Sequence, residues 1–97
     1  MKYKVVVSNN AKIDILNALK WYKENASYKV KALNTQINKT AKSLSKFPER
    51  FQKKYQDHRF APIANFEYNL HYYIDVQNCI VVITALFHYK QYSQELI

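Results

Sequence analysis

The sequence has 97 residues, a formal net charge of +8 and a hydrophobic content of 48%. This length supports one hydrophobic core, so we expect a single domain over residues 1–97. One Cys excludes an intrachain disulfide framework, and the absence of Gly excludes a Gly-rich phosphate loop. Three scattered His and one Cys do not form a zinc-binding pattern, so we expect no metal and no cofactor.

The positive charge is concentrated in the first half of the chain. Residues 1–54 contain 13 Lys or Arg and 3 acidic residues. Residues 55–97 contain 2 Lys or Arg and 4 acidic residues. A polyanion is therefore an expected partner for the first half, and charge alone does not choose between nucleic acid and an acidic protein segment. No apolar run approaches the ~20 residues of a spanning helix, so we expect a cytoplasmic protein without a signal peptide or membrane contact.

The first half of the chain predicts a strand followed by two helices. Residues 2–8 are typical of a short strand, and Ser8 or Asn9 is a suitable cap for a helix. Apolar residues recur at helical spacing in residues 11–24 and again in residues 28–46. Pro48 then ends the second helix.

The second half predicts antiparallel strands. Residues 50–55 and 58–63 are expected to be extended, and residues 68–92 contain a long hairpin with its turn at Gln77 and Asn78. We expect Asn78 to take the left-handed backbone of that turn. The predicted fold class is α+β in the order β-α-α-β-β-β(-β), with a helical hairpin on one face of an antiparallel sheet.

Pairing about this turn gives the hairpin two distinct faces. One is apolar and pairs Ile74 with Val81, Tyr72 with Ile83, Leu70 with Ala85 and Tyr68 with Phe87. The other pairs Tyr73 with Val82, His71 with Thr84, Asn69 with Leu86 and Glu67 with His88. A one-residue slip mixes the two sets, so the pattern specifies this register.

The last strand is apolar on both faces, although the predicted helices cover only one of them. Ile80, Val82 and Leu86 are therefore expected to lie on the uncovered face. The chain tail, a partner's helix or strand, or a second copy are the possible covers.

Several short motifs follow one another along the chain: Ala11-Lys12-Ile13-Asp14-Ile15, Trp21-Tyr22, Phe47-Pro48, Arg59-Phe60-Ala61-Pro62, the run from Phe66 to Asp75 and the run from Ala85 to Lys90. In this order they resemble the RelE/ParE toxins of bacterial type II toxin–antitoxin systems, nearer to the ParE side. The resemblance covers nearly the whole chain. It implies a growth-inhibiting toxin in a hetero-oligomer with its cognate antitoxin, with DNA gyrase as the favoured target. The alternatives are a ribosome-dependent mRNA endonuclease of RelE type and a non-toxic module that only binds an antitoxin.

For the endonuclease alternative, the candidate catalytic residues are His88, Arg59 and Lys90. Cleavage at a 2′-hydroxyl needs a base, a cation beside the phosphate and an acid. Candidate target- or partner-binding residues are His71, Asn69, Lys53, Lys54, Tyr89, Ile80, Val82 and Leu86. The nuclease members have Arg where this chain has Asn69 and Lys90, and Lys lacks the bidentate fork that Arg offers a phosphate.

Each candidate also has a structural interpretation. His88 beside Glu67 forms a solvated cross-strand pair, and Arg59 is an edge-strand charge that limits aggregation. Lys53 and Lys54 are expected to point to opposite faces of a strand, so at most one of them can belong to any single site.

Overall fold

The computed structural model describes residues 2–89. Its elements are β1 (Lys4–Val7), α1 (Asn9–Asn25), α2 (Val30–Lys46), β2 (Lys53–Tyr55), β3 (His58–Pro62), β4 (Tyr68–Asp75) and β5 (Ile80–His88). A short 3₁₀ turn, Ser27–Lys29, joins the two helices. The α+β fold class and the order of its elements are confirmed, and neither described helix is long and apolar enough to cross a membrane.

The five strands form one sheet in the order β1-β5-β4-β3-β2. The pairs β2–β3, β3–β4 and β4–β5 are antiparallel, as predicted, whereas β1 runs parallel to β5. The sheet is therefore mixed. This arrangement follows from the helical hairpin, because two helices between β1 and β2 carry the chain across the sheet and leave β1 beside the last strand.

The helix ends follow from their local sequence. Ser8 caps α1, since its hydroxyl oxygen accepts a hydrogen bond from the Ala11 amide at 3.1 Å. Helix α2 ends at Lys46, where the Phe47 amide still bonds to the Ser43 carbonyl and Pro48 prevents a further turn.

The core lies between the two helices and one face of the sheet. It contains Ala11 and Ala18 of α1, Leu33, Ile37 and Leu44 of α2, and Ala61, Ile63, Tyr68, Leu70, Tyr72, Val81, Ile83 and Leu86 from the sheet side. Small residues in α1 allow the helix to approach the sheet closely. We call this covered surface of the sheet the helix face and the opposite surface the open face.

The hairpin register is as predicted near the turn and changes along β5. Ile74 pairs with Val81, Tyr73 with Val82 and Tyr72 with Ile83, but the next pair is His71 with Ala85. Thr84 is therefore the extra residue of a β-bulge. Beyond it the remaining pairs are Leu70 with Leu86, Asn69 with Phe87 and Tyr68 with His88, so the predicted pairs in this half are wrong by one residue.

The tight turns of this glycine-free chain use other residues in the left-handed region. Gln56, Asn65 and Cys79 have φ values of 50°, 70° and 53°. The hairpin prediction placed Asn78 in this conformation, whereas Cys79 adopts it. The Asn78 side chain and amide instead bond to the Asp75 carboxylate at 2.9 and 3.2 Å. Asn78 thus stabilises the turn through its side chain.

Candidate functional site

Among the described residues, two His side chains and several aromatic side chains lie on the open face of the sheet. Strand pairing places His58 and Phe60 of β3, Asn69, His71 and Tyr73 of β4, and Ile80, Val82, Ala85 and Phe87 of β5 on this surface. Lys4 and Val6 of β1 share it, since they pair with Ile80 and Val82. The surface is mainly aromatic and aliphatic, and half-buried side chains predominate.

The bulge at Thr84 determines which residues at the end of β5 lie on the open face. Its hydroxyl donates a hydrogen bond to the His71 carbonyl at 3.2 Å, and its own carbonyl accepts one from the Ser8 hydroxyl at 3.3 Å. The hydroxyl and the carbonyl of the extra residue are thus both hydrogen-bonded. Because the bulge shifts the side-chain alternation, Phe87 lies on the open face and His88 on the helix face.

His71 is the centre of an aromatic stack on the open face. Its ring is 3.9 Å from the Phe60 ring and 5.2 Å from the Phe87 ring, at interplanar angles of 10° and 23°. Burial lowers the pKa of His71, and the nearby His58 lowers the pKa further, while Asp14 acts in the opposite direction. The structure therefore favours a neutral imidazole at this position.

A second imidazole, His58, adjoins this stack. Its ring contacts Tyr73 at 5.6 Å and Tyr55 at 6.4 Å, and its Nδ1 is buried without a hydrogen-bond partner among the described residues. His58, Phe60 and Phe87 were not among the site residues predicted from the sequence. The alternation of His58, Phe60 and Pro62 along β3 was the available signal for two of them.

Arg59 lies on the helix face and supports a loop. It pairs with Tyr72, and its Nη1 donates to the carbonyls of Phe51 at 2.6 Å and Glu49 at 3.4 Å. The Tyr72 hydroxyl donates to the Pro48 carbonyl at 2.7 Å. Burial raises the pKa of Tyr72, and Arg59 partly opposes that rise. The two side chains hold the segment that follows α2 in place. Arg59 therefore has a structural role in this fold.

His88 also lies on the helix face, at the end of the sheet. Its Nε2 is 3.9 Å from the Glu67 carboxylate, which agrees with the predicted contact, and its ring meets the Tyr68 ring edge-on at 4.8 Å. The Tyr89 amide donates to the Glu67 carbonyl at 3.2 Å. Lys90, the third catalytic candidate, lies outside the described residues.

The remaining candidates divide between the edge of the sheet and its two faces. Lys53 and Lys54 are exposed on the edge strand β2, where the Lys53 ammonium is 3.8 Å from Asp57. Ile80 and Val82 are half-buried on the open face, as expected. Leu86 is only 5% exposed and belongs to the core, so its predicted place on the uncovered face is wrong. The reason is the bulge, which turns Leu86 toward α1.

This geometry separates the groups that RNA cleavage requires. A base, a cation and an acid must all reach one phosphate, yet Arg59 and His88 lie on the helix face and His71 lies on the open face. Within residues 2–89 no group of three or more His, Cys, Asp or Glu side chains could hold a metal ion. In the described part of the chain, the candidate residues for RNA cleavage therefore do not share one face of the sheet.

Comparison with known proteins gives similarity at the level of structure. No protein-family model and no curated protein matches the sequence. The fold is similar to a chain of the chromosomal ParDE toxin–antitoxin system from P. aeruginosa, with a TM-score of 0.78 and 10% identity over 90% of this chain and 96% of that one.

A second solved structure is the RelBE2 toxin–antitoxin complex from Mycobacterium tuberculosis. The TM-score is 0.62, with 22% identity over 91% of this chain and 99% of that chain. Both structures match nearly the whole chain at low sequence identity, so the likeness concerns the backbone arrangement. The two helices on a mixed five-stranded sheet are the fold of the RelE/ParE toxins.

Proposed function

We propose that this protein is the toxin of a type II toxin–antitoxin system and that it inhibits growth by binding and blocking an essential target. The fold supports the toxin role, since chains from two different bacterial toxin–antitoxin systems share it over nearly their whole length. DNA gyrase is the favoured target, because the sequence motifs lie nearer to the ParE side of the resemblance.

The observation that carries the blocking mechanism is the separation of Arg59 and His88 from the open face. The Arg59 guanidinium bonds to two loop carbonyls, and His88 lies beside Glu67 and Tyr68. A protein that acts by stoichiometric binding needs a complementary surface and no acid–base pair. The half-buried aromatic and aliphatic open face meets that requirement.

The same surface supports the proposal of an antitoxin partner in a hetero-oligomer. Ile80 and Val82 lie on the side of β5 that neither α1 nor α2 covers, where Val82 pairs with Tyr73 of β4. Apolar surface of this kind is stabilised when a partner segment removes it from water. An antitoxin that covers the open face would both stabilise the toxin and prevent target binding.

One observation favours the endonuclease alternative. His71 and His58 are electrostatically coupled on the open face, and the pKa of His71 is lowered, so a neutral imidazole is available there as a proton acceptor. If the protein cleaves mRNA on the ribosome, these two residues are better placed than His88 and Arg59. The third alternative, a module that binds an antitoxin without toxicity, predicts normal growth when the chain is expressed alone.

The deciding experiment is induction of the chain alone, with pulse-labelling of DNA and protein synthesis within minutes. The proposal expects DNA synthesis to fall first, and His71→Gln and His88→Gln to remain toxic. Purified protein should inhibit gyrase supercoiling in proportion to its concentration. The two His variants are matched controls for each other, because they make the same change on opposite faces of the sheet.

The other outcomes identify the alternatives. If protein synthesis falls first and His71→Gln alone lowers mRNA cleavage by ~100-fold, the protein is an endonuclease with its site on the open face. If growth continues normally although the folded protein accumulates, the non-toxic binding module is the correct interpretation.

A further inference from the structure

The exposed side of α2 carries a row of positive charges. Its members are the exposed side chains of Lys31, Lys39, Lys42 and Lys46. At 3.6 residues per turn they fall within an arc of about 80°, on the side of the helix opposite to its buried residues. They extend over about 22 Å along the helix axis. We call these four residues the lysine stripe.

The stripe lies in a part of the chain that contains no negative side chain. Residues 25–48 contain five Lys and no Asp or Glu. At one end, Lys42 and Lys46 line a cavity of about 410 Å³ together with Lys2, and none of the described residues that line this cavity is acidic. Like charges one helical turn apart destabilise a helix. A bound polyanion would relieve this repulsion between Lys42 and Lys46.

The other exposed residues of α2 indicate which class of polyanion the stripe suits. They are small or polar, namely Ala32, Asn34, Thr35 and Asn38, and α2 contains no aromatic residue and no Arg. Protein interfaces are usually anchored by aromatic and Arg side chains, and single-stranded nucleic acids stack their bases on aromatic rings. Lys alone binds the phosphates of a double helix, whatever its sequence. The composition therefore favours a nucleic acid duplex.

The arrangement of the lysines on the helix favours DNA over RNA. The major groove of B-DNA is about 12 Å wide and admits an α-helix, whereas the major groove of an RNA duplex is deep and narrow. Helical spacing places Lys31 and Lys42 on one side of the stripe, and Lys39 and Lys46 on the other. A helix lying along the major groove would thus direct two lysines toward the phosphates of each strand.

We propose that the lysine stripe binds the phosphate backbone of double-stranded DNA, with α2 along the major groove and without sequence preference. This site is separate from the open face, because α2 packs on the opposite face of the sheet. The proposal does not rest on toxicity or on gyrase, since it concerns DNA binding by the purified chain. Failure of either proposal therefore leaves the other unaffected.

The test is fluorescence anisotropy of the purified protein with labelled DNA duplexes of about 20 base pairs, over a series of NaCl concentrations. Four or five Lys–phosphate contacts predict a slope of about −4 for the logarithm of the association constant against the logarithm of salt concentration. Two duplexes of unrelated sequence should bind equally well. Each Lys→Gln substitution in the stripe should reduce the steepness of the slope by about 1 and weaken binding about three- to tenfold near 0.1 M salt.

Two control variants distinguish the stripe from the net charge of the chain. Lys20→Gln makes the same change on the exposed side of α1, where Glu24 follows one turn later on the same side of the helix. It should leave the slope unchanged. Lys42→Arg keeps the positive charge and should keep the slope of the wild type. Circular dichroism checks that every variant is folded.

Four results would overturn the proposal. An equal loss in Lys20→Gln and in the stripe variants would show that net charge binds DNA without a site. Tighter binding of oligothymidylate or of an RNA duplex, with the same dependence on the stripe, would assign the stripe to that nucleic acid. Tighter binding of polyglutamate would assign it to an acidic protein. No binding of either DNA duplex by folded protein at low salt would exclude the site.

Discussion

The carboxylate of Asp14 in α1 accepts a hydrogen bond from the backbone amide of Leu86 in β5, at 3.2 Å and across 72 positions of sequence. Strand β1 pairs with β5 only as far as Ile83, so within residues 2–89 no strand lies beside the rest of this β5 edge. The first turns of α1 lie there instead. Asp14 thus bonds to the edge of the sheet where β1 ends.

Replacement of Asp14 by Ala should lower the free energy of unfolding by about 1.5–3 kcal/mol, because the partly buried Leu86 amide loses a charged acceptor. Asp14→Asn keeps an acceptor oxygen and should cost less. Urea denaturation measures both. Asp57→Ala is the control, since Asp57 is exposed and its carboxylate lies 3.8 Å from the exposed Lys53 ammonium, and its effect should stay within about 0.5 kcal/mol. Equal losses at Asp14 and Asp57 would contradict this role.

Arg59→Leu should destabilise the protein by about 1–3 kcal/mol, because the carbonyls of Phe51 and Glu49 lose their donor. Amides of residues 48–51 should exchange faster. If the chain is toxic as proposed, the folded fraction should keep that toxicity, since the Arg59 side chain lies on the helix face of the sheet. Arg50→Leu removes an exposed positive charge from the same segment and is the matched control. Loss of toxicity in folded Arg59→Leu, with normal exchange, would show that Arg59 contacts the target directly.

Stability should depend on pH through His71. Its folded-state pKa lies below the ordinary value of 6.5, so the unfolded chain binds more protons in the interval between the two values. The free energy of unfolding should therefore decrease as the pH falls below about 6.5 and level off above it. The measurement is the urea midpoint as a function of pH.

Two variants of His71 separate titration from packing. His71→Phe and His71→Gln should both remove this part of the pH dependence, because neither side chain titrates. Only Phe retains an aromatic ring between Phe60 and Phe87, so it should be the more stable of the two at neutral pH. A wild-type slope that persists in both variants would assign the pH dependence to another group.

Cys79→Gly should stabilise the hairpin turn. Cys79 has a φ of 53°, where a side chain costs about 1–2 kcal/mol that Gly does not incur. Part of this gain is lost to the greater freedom of Gly in the unfolded chain, so we expect a net gain of about 0.5–1 kcal/mol. For a domain of this size, that corresponds to a melting temperature higher by roughly 2–8 °C. Cys79→Ala also removes the thiol but keeps Cβ, so it should show no comparable gain.

The sequence predicted the elements of this fold because their signals are local. Helical spacing in residues 11–24 and 28–46, Ser8 as a cap and the break at Pro48 each act within a few residues, and the structure agrees with them. The pairing of Ile74 with Val81 was also predictable, since it lies close to the turn. The parallel pairing of β1 with β5 was not predicted, because it joins segments more than 70 residues apart.

The candidate site was predicted less well, and one residue explains most of the difference. The segment around Thr84 and Ala85 contains no Gly or Pro that would indicate a bulge, and its apolar run is compatible with either register. The bulge depends on distant partners, the Ser8 hydroxyl and the His71 carbonyl. The faces of Leu86, Phe87 and His88 therefore follow from tertiary contacts. His71 lies on β4, where the bulge does not interrupt the alternation of side chains. Its place on the open face was therefore predicted correctly, although its partner on β5 was not.

The bulge at Thr84 also bears on how sequences with this fold should be aligned. If one residue is gained or lost in β5, every side chain between that point and the end of the strand moves to the opposite face of the sheet. The path of the backbone hardly changes. An alignment that matches the turn and has no gap there would equate Phe87 with a residue that, in a chain lacking the bulge, occupies the position of His88. Motifs at the end of this strand are therefore comparable between proteins only after their strand registers have been matched.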